Sequence, residues 1–301
     1  MELVDDGREP KEIYHKFSFL PELLKEKLIK FYFYFRYLTS AFRTNPDFFI
    51  IGAARCGTTS LYKYLTEHPS VIEPLRKETH YFELFYNQGY RWYKLFFPSI
   101  FYKLYHKYYL KIPFITGEAS ADYIFHPLVP KRIISLYPKA KIIILLRNPV
   151  DRAYSYYSLN LSRKIEKESF EKVIERESNL LKKEIDKMRE DEDYFSKKYY
   201  RFSYLTSGIY INQINLWKRY FPDNQILIIN SEDFFKDPQN ILNMVFSFLG
   251  LKDFKLNKYY KYNYGNTSKM NKKTRQCLIQ FYKPFNERLY KNIKRVFDWD
   301  K

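Results

Sequence analysis

Four short isoleucine-containing runs set the strongest limit on how this chain can fold: "DFFII" (47–51), "PFITGE" (113–118), "AKIIILL" (140–146) and "NQILIIN" (224–230). Turn-forming residues bound each run, and the apolar residues are continuous rather than alternating. A strand with one wet face alternates, whereas a strand covered on both faces does not. The runs therefore predict an α/β fold, a single domain with a central parallel sheet flanked by helices. Ligands of such sheets gather beyond the carboxyl ends of the strands. The residues that follow the runs are the first place to look for chemistry.

The first run leads into "GAARCGTTS" (52–60). Gly52 and Gly57 have the spacing of the common nucleotide-binding loop, but Thr58 stands where that loop carries lysine. A loop between a strand and a helix, here predicted from Thr58 to Glu67, offers backbone N–H groups and a positive helix end to an anion. Arg55 is the loop's one cation. The third run leads into "LLRNPVDRAYSYY" (145–157), where Arg147 ends the strand and Pro149 suits a first helical turn. Ser155 follows two turns on, within reach of an anion shared with Arg147. "KETHYFE" (77–83) gathers Lys77, Glu78, His80 and Glu83 in a predicted loop. Beside an anion site, a carboxylate there can serve as a general base.

With 301 residues, 46% of them apolar, the chain can bury a substantial core. The formal charge of +18 suits a polyanionic partner, though no nucleic-acid motif accompanies it. Two cysteines, Cys56 and Cys277, make neither a disulfide framework nor a cysteine metal site, and no other metal-ligand spacing stands out. A cytoplasmic location is expected, because the first residues, "MELVDDGREP", lack the basic-then-apolar order of a signal peptide. No run reaches the roughly 20 apolar residues of a spanning helix. "LIKFYFYFRYLTSAF" (28–42) comes nearest, interrupted by Lys30 and Arg36. It reads as a packing helix or connector, with peripheral membrane contact as the alternative. Residues 163–198 are dense in both charges with helical periodicity, which predicts a solvated helix pair or a lid.

Together these motifs resemble the sulfotransferases that use 3′-phosphoadenosine 5′-phosphosulfate (PAPS), in particular the heparan sulfate branch and its bacterial relatives. "GAARCGTTSL" is similar to that family's 5′-phosphosulfate loop, and "RNPVDRAYSYY" to its 3′-phosphate motif, with serine eight residues after arginine. "KETHYFE" is similar to the segment carrying the acceptor-side carboxylate. "GEASADYIFHP" (117–127), "SGIYINQINLWKRYFP" (207–222) and "FYKPFNERLY" (281–290) match later landmarks in order.

The resemblance implies a P-loop-like sulfotransferase fold over 46–301, preceded by a helical extension, 1–45. It implies a donor held by Arg55, Cys56, Gly57, Thr58, Thr59, Ser60, Arg147 and Ser155, with Tyr264, Gly265 and Lys269 closing over the 3′-phosphate, and no metal. Glu78 is the implied base, with His80 the second candidate because the cytosolic branch uses histidine. Lys77, Glu83, Glu118, Ser120 and Asp122 would face the acceptor, a carbohydrate, glycolipid or other hydroxyl compound. One departure bears on that acceptor: the glycosaminoglycan enzymes carry lysine where this chain has Ala119. A degenerate P-loop kinase and a non-enzymatic polyanion-binding protein are the competing readings. The kinase lacks its loop lysine, and the binding protein leaves the loop unexplained.

Overall fold

The computed structural model describes residues 21–299 apart from 192–193, 195, 261 and 263–268. In chain order come α1 (Glu22–Leu38), β1 (Phe48–Gly52), α2 (Thr58–Thr66), α3 (Tyr90–Lys94), α4 (Ile100–Tyr108), β2 (Gly117–Ala119), α5 (Val129–Leu136) and β3 (Lys141–Leu146). There follow α6 (Pro149–Ser162), α7 (Phe170–Glu190), α8 (Lys197–Phe202), α9 (Tyr210–Lys218), β4 (Ile226–Asn230), α10 (Ser231–Lys236), α11 (Pro238–Leu249) and α12 (Lys272–Ile293).

The strands form one parallel sheet in the order β2-β1-β3-β4. Phe48 of the central β1 is aligned with Gly117 on one side and Lys141 on the other. Phe48 to Ile51 and Ile142 to Leu146 are fully buried, as continuous apolarity requires. Each such side chain contributes about 1.5–3 kcal/mol by leaving water.

The second run pairs later than its sequence suggests. Pro113 has no N–H to offer, the Ile115 N–H donates to Ser70 O at 2.9 Å, and the Thr116 N–H donates to Asp47 Oδ2 at 2.9 Å. These bonds leave only Gly117–Ala119 for the sheet.

Helix α1 packs through Ile29 and Phe33, and Arg36 lies on the same buried face. Arg36 Nε donates to Leu95 O at 2.7 Å and Nη2 to Phe97 O at 2.6 Å. The residue that interrupts the apolar run in sequence is thus an anchor in the fold.

A second apolar cluster joins α6, α7 and α12 through Tyr157, Phe170, Val173, Leu278 and Tyr282. The charged stretch is less solvated than its composition implies. Buried Glu177 accepts the N–H groups of Leu205 and Thr206, both at 2.7 Å, and buried Glu184 accepts Tyr194 OH at 2.7 Å and Ser196 Oγ at 2.5 Å. Carboxylates satisfy backbone and hydroxyl donors here that would otherwise be buried unpaired.

Candidate active site

The loop after β1 lies at the carboxyl rim of the sheet, beside the loop after β3. Gly57 caps α2 at φ 92 and, lacking a side chain, contributes no side-chain capping bond to that helix end. A Cβ at Gly57 would meet the Phe235 ring at 2.9 Å, so glycine is required both by conformation and by space. Arg55 Nε donates to Ser155 Oγ at 3.1 Å, while Arg147 Nη1 donates to Arg55 O at 3.4 Å. Tyr210 OH donates to Arg147 O at 3.0 Å, and Ser231 Oγ donates to Cys56 O.

Burial first, and then the charges of Arg147, Arg163 and Arg152, lower the Arg55 pKa. Among the described residues no carboxylate pairs with Arg55 or Arg147. Guanidiniums crowded beside a helix N-terminus favour an anion, so the residues fit a polyphosphorylated donor. Burial pushes the Cys56 thiol up to about 11, which leaves that residue neutral in the loop.

Lys77 joins this rim to an acidic patch. Its Nζ donates to Thr59 Oγ1 at 3.2 Å and to Glu78 Oε1 at 2.8 Å. His80, at φ 52, lies between two carboxylates: Nδ1 contacts Glu83 Oε1, and Nε2 lies 3.7 Å from Glu78 Oε2. Burial works against charge on His80, but the Glu83 charge, hydrogen bonds to Glu78 and Glu83, and Asp122 raise it to about 10. Burial likewise raises Glu78, yet the His80 and Lys77 bonds and charges outweigh it and hold the carboxyl at about 2. Burial together with the Glu83 charge pushes Asp122 up to about 7. His80, Glu83 and Asp122 also present donor atoms within 4.8 Å of one another, a spacing that a cation could bridge. At neutral pH the imidazolium already supplies positive charge there.

Two of the expected acceptor residues are engaged inside the core. Glu118 and Ser120 are fully buried, and Glu118 accepts Thr79 Oγ1 at 2.9 Å and Ser120 Oγ at 2.8 Å. Glu118 is thus hydrogen-bonded to Thr79 and Ser120 inside the core at the end of β2. Asp122 does reach a cavity, which Arg152, Tyr156, Tyr200 and Ser207 also line. Thr58 and Ser60 are buried in the first turn of α2. Lys269 is exposed, whereas Tyr264 and Gly265 lie outside the described residues.

Sequence reasoning passed over Arg152. This buried side chain donates through Nε to Ala54 O at 3.3 Å and through Nη1 to Tyr204 O at 3.0 Å and to Ser207 Oγ. Its spacing of three residues from Ser155 on α6 was the available signal, since that spacing shares a helix face.

The family model for the sulfotransferase domain matches residues 45–300. The chain belongs to the sulfotransferase domain family. This sulfotransferase-family chain is 27% identical over 320 residues to the membrane-associated sulfotransferase kil1 of Dictyostelium discoideum, covering 84% of the chain and 66% of the relative. It is 29% identical over 281 residues to heparan sulfate glucosamine 3-O-sulfotransferase 3B1 of Mus musculus, covering 85% and 65%. It therefore spans just under two thirds of the length of these relatives. The crystal structure of a sulfotransferase from Alicyclobacillus acidocaldarius superposes with a TM-score of 0.67 at 28% identity, covering 86% of this chain and all of that one. The expected cytoplasmic location is withdrawn, because a matched relative is named a membrane-associated enzyme. Among the described residues, no helix is long and apolar enough to cross a membrane.

Proposed function

We propose that this sulfotransferase-family chain transfers a sulfuryl group from PAPS to a hydroxyl or amine of a carbohydrate or glycolipid. The observation that carries the reading is Lys77, which spans from Thr59 at the start of α2 to Glu78. A phosphosulfate gripped by the loop would end beside that lysine and its carboxylate.

The donor supplies the sulfuryl group and departs as adenosine 3′,5′-bisphosphate. Arg55, the loop backbone from Cys56 to Thr59 and the Thr58 and Thr59 hydroxyls hold its 5′ end, and Arg147 with Ser155 holds the 3′-phosphate. As the acceptor oxygen bonds to sulfur and the sulfur–oxygen bond to phosphate breaks, charge grows on the departing oxygen. Arg55 and Lys77 are disposed to stabilise it. The acceptor proton passes to Glu78, which is ionised at neutral pH. His80 is protonated on both ring nitrogens at that pH and has no lone pair to offer, which supports Glu78 as base and His80 as its positioning partner.

Residues 46–301 carry the chemistry in this reading, with 1–45 as an extension. A carbohydrate acceptor is supported by relatives named for heparan sulfate. The acidic patch of Glu78, Glu83 and Asp122, with Ala119 in place of lysine, favours a less anionic sugar than heparan sulfate. Labelled PAPS with carbohydrate, glycolipid and phenol panels tests the reading. Label transfer to a sugar hydroxyl supports it, and transfer to phenols alone overturns the acceptor. Calorimetry with adenosine 3′,5′-bisphosphate against ATP-magnesium tests the donor, and preference for ATP-magnesium overturns it.

A further inference from the structure

Two helices each carry an apolar face that stays exposed, with no other element packed over it among the described residues. On α1, Phe31, Tyr34, Phe35 and Leu38 follow i, i+3, i+4, i+7 spacing and are all exposed, on the opposite side from buried Ile29, Phe33 and Arg36. On α4 and the residue after it, Phe101, Leu104, Tyr105, Tyr108 and Tyr109 repeat the same spacing, with Phe101 at 65% and Tyr109 at 74% exposure. Just past α1, exposed Phe42 brings its ring within 5.8 Å of Phe101 on α4, and the Arg43 and Ser99 backbones form an antiparallel bridge, which links the segment after α1 to the start of α4. A protein of this size rarely leaves so many large apolar side chains contiguous in water without a partner.

The charges around the stripes identify the partner. Residues 27–46 and 98–116 contain no aspartate or glutamate. Lys27, Lys30, Lys107 and Lys111 are exposed there, and none forms an ion pair among the described residues. A second copy docking face to face would set these lysines against their own equivalents, which disfavours a symmetric dimer. Tyr34, Tyr105, Tyr108 and Tyr109 each combine an apolar ring with a polar tip, the chemistry of a layer that is greasy below and wet above.

We propose that the α1–α4 face docks on an anionic lipid bilayer, burying the two stripes at the acyl boundary and setting the lysines among acidic headgroups. The face lies on helices outside the donor rim, so docking would leave the loop after β1 free.

Flotation of the full chain with vesicles tests this. Binding is expected to mixed phosphatidylserine–phosphatidylcholine vesicles, to weaken in high salt, and to be much poorer with pure phosphatidylcholine. Replacing Lys27, Lys30, Lys107 and Lys111 with glutamine should cost at least about tenfold in vesicle affinity, as should a Phe31→Ser, Phe35→Ser, Phe101→Ser, Tyr105→Ser variant. All eight positions are outside the core, and an unchanged melting temperature in each variant certifies the fold. Failure of the wild type to float, or flotation unaffected by either variant, overturns the proposal. A concentration-dependent dimer in light scattering that the serine variant abolishes would overturn it in favour of a second copy.

Discussion

Arg55 Nε donates to Ser155 Oγ at 3.1 Å across one hundred residues of chain. That bond ties the loop after β1 to the helix after β3 and couples the two ends of the proposed donor site. It is also replaceable, because an anion would compete with a neutral hydroxyl for the guanidinium.

Adenosine 3′,5′-bisphosphate should therefore raise the melting temperature, since a ligand that binds only the native state stabilises it by mass action. Adenosine 5′-monophosphate should do much less. Arg147→Ala should remove the difference between them, a charge-assisted bond being worth about 1.5–3 kcal/mol. Differential scanning fluorimetry reads the outcome, and a mutant that still discriminates would show that Arg147 does not hold the 3′-phosphate.

Glu78→Gln retains shape and hydrogen bonding but removes the proposed base. Turnover should fall by about 100-fold to 10,000-fold with donor affinity unchanged. Arg55→Ala should weaken donor binding as well as turnover. If Glu78→Gln turns over normally while His80→Asn is dead, the base assignment is reversed. Single-turnover transfer from labelled donor, with calorimetry in parallel, separates these cases.

The proton on His80 has a stability consequence. Its pKa rises from 6.5 to about 10 on folding, so its contribution is complete below 6.5 and is lost as pH rises through about 10. Glu78 has the opposite sign: falling from 4.5 to about 2, its contribution is present above 4.5 and disappears as pH drops through about 2. Urea unfolding across the alkaline range should show stability declining toward pH 10, and His80→Gln should flatten that decline. An unchanged slope in the variant would remove His80 as its source.

Asp122 ionises near pH 7, in the cavity it shares with Arg152. For an anionic acceptor, KM should rise as pH passes 7, because the newly charged carboxylate repels it. A neutral acceptor should show little of this, and Asp122→Asn should abolish it. Michaelis constants for a sulfated and an unsulfated sugar at several pH values decide the matter.

Gly57→Ala should be costly out of proportion to one methyl group. The positive φ and the nearby Phe235 ring both oppose a Cβ, for a combined loss of roughly 1–3 kcal/mol. Chemical denaturation measures this loss, and a change near zero would mean that the loop relaxes freely.

Much of this molecule was readable from one dimension. Continuous apolar runs identified a parallel sheet because a strand covered on both faces has no polar side to display. The glycine spacing of 52–57 and the arginine-to-serine spacing of 147–155 placed two segments at strand ends, where such sheets bind ligands. The local patterns did not reveal where Glu118 and Ser120 point. That depended on Thr79, which arrives from another segment and satisfies the carboxylate inside the core. Nor could they show Arg152 anchoring the backbone of Ala54 and Tyr204, or Lys77 bridging Thr59 to Glu78.

The sequence by itself determined the fold class and the residues available for chemistry, because burial periodicity and helix-start signals act over neighbours in the chain. Only the tertiary structure decided which charges share a site and which are spent on the framework. His80 is charged because Glu78, Glu83 and Asp122 surround it, and Arg55 lies among other guanidiniums because the loop after β1 meets the loop after β3 and α6. Electrostatic energy depends on distance through space, and the fold alone sets that distance.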